Sequence, residues 1–417
     1  MNDAQRNLIC PTGKNGFAGQ DLKRDISNAS SRKHAACGTT FTWWPLGLRM
    51  KAAAKPFRVS VVQCRGTPYE VGRAQARLFA MTAKGQAFLR NKTRRFPWWF
   101  NIAAEQRLFA RFAPALWEEL AGLADKLGIT MDWAAFRFGN DGMRPPTGGC
   151  SAAITADVYG RNYDFRPRYY GAQFTLLQAR GTYASIGSTH QLTGRLDGMN
   201  EHGLMIGLHL VKRSPRFPGL SADLIVRMVL DQCATTTEAT ARLRQLPHAM
   251  QYNYSLLDAN GVAAVVEAGA GTFAVRTDAW LACTNHFQSP LLRPLNRGVM
   301  QSQHRLPPLE AWASGDLSAE RMFTALNRST SPVFIHGSFR TLHTIVGEPA
   351  KRRLLIGIGG DAAALEEDML DVNFDRWVAG EDLPISRLQG QLGGLSKPVE
   401  WPPRRRRKKA EKLQTVS

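Results

Sequence analysis

Residues 148–151 read Gly-Gly-Cys-Ser, and residues 160–165, a short distance later, read Gly-Arg-Asn-Tyr-Asp-Phe. The side-chain alternation after Cys150 and the turn signal before the second stretch predict two short antiparallel strands. A cysteine becomes a nucleophile when a nearby positive charge or base supports its thiolate. Arg161 and Asp164 lie on the returning strand, so we expect this hairpin to bring both groups toward Cys150.

The spacing of these two charged residues limits how they can meet Cys150. In a regular hairpin Arg161 and Asp164 return only partway, and they point to opposite faces because their positions differ by an odd number. A bulge or the end of a strand must intervene if both serve one site. The same residues are also compatible with a buried structural cysteine beside a surface ion pair, since free cysteines are often simply buried.

Further motifs lie on both sides of this hairpin. They are residues 63–72 (QCRGTPYEVG), 117–124 (WEELAGLA), 198–204 (GMNEHGL), 254–261 (YSLLDANG) and 284–287 (TNHF). Together with the hairpin, this ordered set resembles the self-processing N-terminal-nucleophile (Ntn) hydrolases of the choloylglycine hydrolase and acyl-CoA:isopenicillin N (6-aminopenicillanic acid) acyltransferase group. The resemblance covers roughly residues 57–360, and the ordered set is specific where one motif alone would be weak.

The resemblance implies that a precursor cleaves itself between Gly149 and Cys150. The Cys150 sulfur attacks the Gly149 carbonyl, an ester forms, and water releases the pro-segment. Glycine suits the position because it tolerates a strained backbone and leaves its carbonyl open to attack. The freed α-amino group of Cys150, whose reference pKa is about 8, then serves as the general base for its own thiol.

The resemblance also implies roles for five other residues. Asp164 would hold the new α-amino group, and Arg161 would lie near the sulfur and favour the thiolate. Asn285 would donate its side-chain amide to the oxyanion, and Asn200 would supply the second oxyanion-hole position through its backbone N–H. Arg305 corresponds to the family's late arginine. Arg161 matches the hydrolase branch, whereas the penicillin-biosynthetic acyltransferase carries glutamine there.

Each of these motifs also has an ordinary structural interpretation. Residues 200–203 would form a hairpin turn in any protein, because Asn and Gly tolerate positive φ. Asn285 and His286 are compatible with a strand end whose polar groups satisfy the backbone. A papain-like Cys-His-Asn site is disfavoured, because such enzymes keep the cysteine at a helix N-terminus.

The composition fits an enzyme rather than a membrane or disulfide-rich protein. The chain has 417 residues, of which 44% are hydrophobic, and no apolar run reaches the roughly 18–20 residues that span a bilayer. Residues 1–5 do not begin a secretory signal. The six cysteines lie far apart without metal-site spacing, so we expect a cytoplasmic protein with no cofactor.

Positive charge is concentrated at the C-terminal end. The formal net charge is +20, and residues 404–409 read Arg-Arg-Arg-Arg-Lys-Lys. Such a block is expected to be disordered. It is compatible with a solvated tail or with an anionic partner, so a competing interpretation is a non-enzymatic basic protein that binds nucleic acid or anionic membrane through this tail.

These observations predict four regions. Residues 1–49 are expected to be a disordered extension, with Met50 as an alternative start. Residues 50–149 form the pro-segment, which becomes the alpha chain after cleavage. Residues 150–400 form the Ntn catalytic domain, or beta chain, and residues 401–417 form the basic disordered tail.

The predicted order of elements indicates an α+β fold. A capping box at Thr67–Glu70 predicts a helix from Pro68. Other helices are expected at 103–127, broken near Pro114, and at 222–233, 237–246, 309–312 and 319–326. Strands are expected at 57–62, 150–158, 161–165, 174–179, 183–188, 204–211, 252–257, 262–267, 280–284, 342–346 and 354–357. By resemblance, these elements form a four-layer αββα sandwich with an N-terminal helical pro-segment.

The predicted activity is hydrolysis of a linear amide, or acyl transfer through a Cys150 thioester. The substrate would be a small-molecule amide or an acyl-CoA, with water, an amine or a CoA thioester partner completing the reaction. Apolar candidates for the substrate pocket are Trp98, Trp99, Phe100 and Phe174. A homo-oligomer of processed heterodimers is left open.

Overall fold

The strands and helices are assigned from a computed structural model. It describes residues 56–91, 96, 100–140, 149–212, 218–297, 300–312, 317–361 and 369–391, and all of these belong to one compact unit. The predicted extension at 1–49, residues 145–148 before the predicted cleavage site, Trp98, Trp99 and the basic tail lie outside the described residues.

The described ranges contain sixteen strands and ten α-helices. The strands are β1 Pro56–Gly66, β2 Gly149–Ile154, β3 Tyr159–Phe165, β4 Gln173–Ala179, β5 Ser185–His190, β6 Gly194–Arg195, β7 Asp197–Asn200, β8 Met205–Lys212, β9 Gln251–Leu257, β10 Ala263–Gly269, β11 Thr272–Arg276, β12 Leu281–Cys283, β13 Arg340–Glu348, β14 Arg353–Ile358, β15 Met369–Asn373 and β16 Arg387–Gln391. The helices are α1 Pro68–Ala80, α2 Ala83–Arg90, α3 Ile102–Phe112, α4 Pro114–Leu127, α5 Met131–Phe138, α6 Ala222–Gln232, α7 Thr236–Gln245, α8 Met300–Ala311, α9 Ala319–Asn327 and α10 Phe374–Val378. No helix within these ranges is long and apolar enough to cross a membrane.

Two sheets form the centre of the fold. The large sheet has the order β11-β10-β9-β8-β7-β5-β4-β1-β16, with β6 paired to β5, and the small sheet has the order β12-β2-β3-β13-β14-β15. The sheets face each other where β2 meets β8. Helices α1, α6 and α7 pack on the large sheet, and α8 and α9 pack on the small one. The predicted α+β sandwich with αββα layers is therefore confirmed.

The N-terminal segment is more than a helical pro-segment. Its strand β1 runs on to Gly66, beyond the predicted end at Val62, and pairs parallel with β4 and antiparallel with β16. An interior strand hydrogen-bonds on both edges, so this segment is part of the large sheet. The strand expected at 57–62 is therefore present, and helices α1–α5 follow it within the predicted pro-segment.

Element boundaries differ from the prediction where proline is involved. The Thr67 capping box is present as predicted. The expected helix at 103–127 is two helices, because Pro114 opens α4 after the non-helical residue Ala113. The helix expected at 309–312 begins at Met300 and contains Pro307 and Pro308. Two prolines normally end a helix, so the pattern hid its first half, which carries Arg305.

Candidate active site

The β2–β3 hairpin sets the register of the predicted site. Cys150 pairs with Tyr163, Gly149 pairs with Asp164, and Ala152 pairs with Arg161. Asp164 therefore lies directly opposite Gly149, and the expectation that it returns only partway is wrong. The two charged side chains do point to opposite faces, since Arg161 reaches the large sheet and Asp164 reaches α8. Because β2 begins at Gly149, the strand end lets both flank the Gly149–Cys150 bond.

The Cys150 thiol lies in a buried, positively charged environment. Arg161 Nη2 donates to Cys150 Sγ at 3.3 Å and to the Leu208 carbonyl at 2.6 Å. Burial nevertheless raises the pKa of the Cys150 thiol, although the positive charge of Arg161 opposes this. The thiol of the intact chain is therefore neutral at pH 7, and its proton must be transferred in the course of any attack by the sulfur.

Sequence reasoning missed the residues that hold Arg161. Arg161 Nη1 forms an ion pair with Asp197 Oδ2, which also accepts from His343 Nε2 at 2.9 Å. Although burial opposes ionisation, contacts with His343 and Arg161 keep the pKa of Asp197 well below its usual range. Asp197 directly precedes the GMNEHGL motif, but an acidic residue before a turn carries no signal for a partner 36 residues away.

Asn285 and Arg305 bind the main chain of Cys150. The Cys150 N–H donates to Asn285 Oδ1 at 2.7 Å, and Arg305 Nη1 donates to the Cys150 carbonyl at 2.6 Å. Arg305 Nη2 also donates to Asn285 Oδ1 at 2.8 Å. The Asn285 Nδ2 group donates to the Leu210 carbonyl at 3.0 Å. Asn285 thus presents its acceptor to Cys150, whereas the sequence prediction had it present its donor to an oxyanion.

One carboxylate oxygen of Asp164 accepts a hydrogen bond from the described residues and the other does not. Thr341 Oγ1 donates to Oδ1 at 2.6 Å. Oδ2 has no hydrogen-bond partner among the described residues and lies 3.8 Å from Arg305 Nη1. Burial raises the pKa of Asp164 to about 6, against the opposing effects of Arg305 and Thr341. The carboxylate can therefore accept another hydrogen bond at neutral pH.

Gly149 is required for space rather than for an unusual backbone angle. Its φ is not among the left-handed values of the described residues. A Cβ at this position would lie 2.7 Å from Phe339 Cε1 and 3.3 Å from Asp164 Cβ. Glycine at this position therefore gives space to the Phe339 ring, which a larger residue would have to displace.

Asn200 does not join this cluster. Its Nδ2 donates to the carbonyls of Leu230 and Cys233 at 2.9 and 2.7 Å, and its Oδ1 accepts from the N–H groups of His202 and Leu204. Its own N–H donates to the Leu204 carbonyl. The two Nδ2 bonds tie the β7–β8 turn to the end of α6 and the others close the turn, so the turn interpretation describes Asn200 better than the oxyanion role.

A cavity of about 610 Å³, its open mouth included, adjoins Cys150. Tyr163, Leu208 and Leu210 form apolar parts of its wall. Two predicted pocket residues lie elsewhere. Phe174 is buried against the His343 ring, and Phe100 stacks on Phe96.

Comparison with protein families gives one match. The model described as acyl-coenzyme A:6-aminopenicillanic acid acyl-transferase matches residues 153–363. The chain belongs to this family. Arg161, Asp164, Asn285 and Arg305 fall inside the matched residues, and Cys150 lies just before them. Membership supports an Ntn-type amide hydrolase or acyltransferase acting on small molecules, as the sequence predicts.

Similar solved structures are distant in sequence. A mutant form of conjugated bile acid hydrolase from Clostridium perfringens is 14% identical, with a TM-score of 0.37 over 55% of this chain and 93% of that one. Penicillin V acylase from Agrobacterium tumefaciens is 19% identical, with a TM-score of 0.35 over 55% and 86%. The Caenorhabditis elegans ortholog of N-acylethanolamine-hydrolyzing acid amidase is 17% identical, with a TM-score of 0.37 over 54% and 99%. A comparison with curated protein sequences finds no significant match.

Proposed function

We propose that the protein is a cysteine enzyme of the Ntn type that cleaves its own chain between Gly149 and Cys150. The mature enzyme then hydrolyses a linear amide or transfers its acyl group. The observation that carries this proposal is the open oxygen of Asp164. This carboxylate lies across the hairpin from Gly149, and its Oδ2 has no hydrogen-bond partner among the described residues. Cleavage would release an amine beside it.

Self-cleavage uses the thiol of the intact chain. The Cys150 sulfur adds to the Gly149 carbonyl carbon, the C–N bond breaks, and the thiol proton ends on the departing nitrogen. The products are a thioester and a free α-amino group. Water then hydrolyses the thioester, which returns the thiol and leaves Gly149 with a carboxylate.

The new α-amino group supplies the base that the intact chain lacks. Because burial raises the pKa of the thiol, Cys150 needs a proton acceptor close to its sulfur, and its own amine lies on the same residue. Asp164 Oδ2 and Asn285 Oδ1 accept hydrogen bonds from this amine and hold it in place. Arg161, fixed by Asp197, stabilises negative charge on the sulfur.

Turnover repeats the same chemistry on a substrate. The α-amino group takes the thiol proton, the sulfur attacks the amide carbon, and the departing amine leaves with the proton. The acyl group is then a thioester of Cys150. Water as acceptor gives hydrolysis, and an amine gives transfer, because the same nucleophile serves both.

The N-terminal piece stays attached after cleavage. Strand β1 is hydrogen-bonded on both edges within the large sheet, and buried Glu119 pairs with Arg227 of α6 at 2.8 Å. The boundary between the proposed alpha and beta chains is therefore a cut in one fold rather than a border between two independent domains.

Intact mass measurement with N-terminal sequencing tests this proposal. Wild-type protein is expected as two chains, the second beginning Cys150-Ser151, and Cys150→Ala as one. Cys64→Ala is the matched control, because Cys64 is also a buried free cysteine but takes no part in the site, and it should cleave normally. A folded wild type that stays uncut contradicts self-processing. Hydroxylamine trapping of the acyl group from a chromogenic amide then distinguishes transfer from hydrolysis.

A further inference from the structure

The cavity beside Cys150 contains a polar pair that the proposed mechanism does not use. His190, from the end of β5, and Asp223, from the first turn of α6, both line it. Apolar side chains make up much of the remaining wall, including Phe165, Leu196, Leu208 and Leu210. An apolar pocket with a few fixed polar groups is the usual form of a small-molecule site, in which the polar groups select orientation.

The hydrogen bond between His190 and Asp223 determines which of their atoms carries the shared proton. His190 Nδ1 lies 2.8 Å from Asp223 Oδ2, and both side chains are largely buried. Burial alone would raise the pKa of Asp223, but the hydrogen bond and charge of His190 keep it below its usual range. An ionised carboxylate only accepts hydrogen bonds, so His190 Nδ1 carries the proton.

The other ring nitrogen of His190 is open. No hydrogen bond of Nε2 is found among the described residues. Nε2 accepts a hydrogen bond in the neutral ring and donates one in the protonated ring, and a hydroxyl group can pair with either form. A ring nitrogen without a protein partner in a mostly apolar pocket marks a place where a bound molecule can supply that partner.

We propose that His190 and Asp223 form a specificity subsite for an acyl chain that carries a hydroxyl group toward its far end. This inference rests on the proposed function, because it takes Cys150 as the residue that receives the acyl carbon. The apolar walls bury the hydrocarbon part of the chain, and the hydroxyl forms a hydrogen bond with His190 Nε2. A carboxylate in the same place would face the negative charge of Asp223, so ω-carboxyacyl chains are disfavoured.

Turnover of matched amides tests the subsite. Coumarin amides of straight-chain acids, their ω-hydroxy analogues and their ω-carboxy analogues are compared over a series of chain lengths. At the length that reaches His190, kcat/KM should favour the hydroxyacyl amide by about tenfold or more, since a site built to bind a hydroxyl discriminates against its loss. The ω-carboxy analogue should be the poorest of the three.

His190→Phe separates the subsite from general damage. The ratio of hydroxyacyl to unsubstituted turnover should fall to about 1 or below, because the hydroxyl loses its hydrogen-bond partner and the pocket becomes more apolar. His202→Phe is the control, as His202 lies exposed in the β7–β8 turn, and it should keep the wild-type ratio. A ratio near 1 in the wild type at every length, or an unchanged ratio in His190→Phe, overturns the subsite.

A binding measurement keeps this test independent of catalysis. Calorimetry with Cys150→Ala protein and free ω-hydroxy amides should give tighter binding than the unsubstituted amides, and His190→Phe in the same background should remove the difference. Binding preference without any Cys150-dependent turnover would contradict the proposed function and support the subsite. Cys150-dependent turnover without a preference for the hydroxyl group in either assay would support the proposed function and contradict the subsite.

Discussion

Two buried groups of charged side chains lie on opposite faces of the large sheet, and their hydrogen bonding differs. The site cluster, between the sheets, consists of Cys150, Arg161, Asp164, Asp197, Asn285 and Arg305. The inter-segment cluster, on the helix-covered face, consists of Gln75, Glu119, Arg227 and Asp231. Both contain an arginine held by carboxylates, and both are buried.

In the inter-segment cluster, every nitrogen of the Arg227 guanidinium donates a hydrogen bond. Arg227 Nε donates to both Asp231 oxygens at 2.8 and 2.9 Å, and Nη2 donates to Glu119 Oε2 at 2.8 Å. Nη1 donates to the Thr193 carbonyl at 3.2 Å, and Gln75 donates to Glu119 Oε1 at 2.7 Å. Although burial opposes the charge, Asp231 and Glu119 raise the pKa of Arg227.

The site cluster leaves atoms open. Arg161 Nε, Arg305 Nε and Asp164 Oδ2 have no hydrogen-bond partner within the described ranges. Buried polar atoms of this kind destabilise the fold, and they concentrate where a ligand or reacting group completes the network. The inter-segment cluster is thus arranged to stabilise the contact between the N-terminal segment and the rest of the fold, whereas the site cluster leaves polar atoms open for the proposed chemistry.

Removing Arg227 tests whether the inter-segment cluster stabilises the fold. This substitution should have the largest effect of the four predictions, on the free energy of unfolding. In Cys150→Ala protein, which stays one chain, Arg227→Met should lower the free energy of unfolding by about 3–5 kcal/mol, because Glu119 and Asp231 become unpaired buried charges. Arg195→Met is the matched control. Arg195 leaves Nε and Nη2 unpaired, and burial and Arg227 lower its pKa to about 9. Equal losses in urea denaturation would contradict the distinction.

Removing Arg161 tests the chemical half. Arg161→Met should slow Cys150-dependent amide hydrolysis by about 10²-fold, or roughly 2.7 kcal/mol, since negative charge on the sulfur loses its main support. Arg161→Lys should retain more activity. The pH dependence of Cys150 alkylation reports the same change directly, with the thiol pKa higher in Arg161→Met than in the wild type. An unchanged alkylation profile would show that Arg161 only supports Asp197.

Gly149 tests how tightly the cleavage site is packed. Gly149→Ala should destabilise the chain by about 1–2 kcal/mol and slow self-cleavage, because the new Cβ overlaps the Phe339 ring. Phe339→Leu in the same protein should restore most of the cleavage rate by removing the overlapping ring atoms. Cleavage as slow in the double variant as in Gly149→Ala would indicate that backbone geometry, rather than space, requires glycine.

The dependence of the reaction rate on pH tests the role of Asp164 Oδ2, which has no hydrogen-bond partner among the described residues. Of the four predictions, this one should change the rate least near neutral pH. The pKa of Asp164 is raised to about 6, so the carboxylate is ionised above pH 6 and protonated below it. Protonation removes its ability to accept from the departing nitrogen of Cys150, so the rate of self-cleavage of the intact chain should fall as the pH falls through about 6. Asp164→Asn should cleave slowly, and its rate should not show this pH dependence. A wild-type rate that falls only near pH 4 would contradict the role assigned to Asp164.

The family resemblance anticipated which residues meet at the hairpin, and the structure changed how they meet. Gly149, Cys150, Arg161 and Asp164 are separated by one turn, so strand alternation is enough to predict their faces. The donor role predicted for Asn285 stays a prediction: in the intact chain its Oδ1 accepts from Cys150 and its Nδ2 donates to the carbonyl of Leu210 on another strand. Asn200 was assigned to the site from its motif, which is explained equally well by the turn it forms.

Local sequence patterns are enough to predict the α+β order of elements, the hairpin at Cys150 and the capped helix after Thr67. These depend on side-chain periodicity and turn residues within a few positions of each other. Only the tertiary structure decided that Asp197 and His343 hold Arg161, that β1 lies inside the large sheet, and that His190 meets Asp223 in the cavity. Their partners are tens to hundreds of residues apart in the chain, and no local pattern encodes a contact that sheet order and layer packing create.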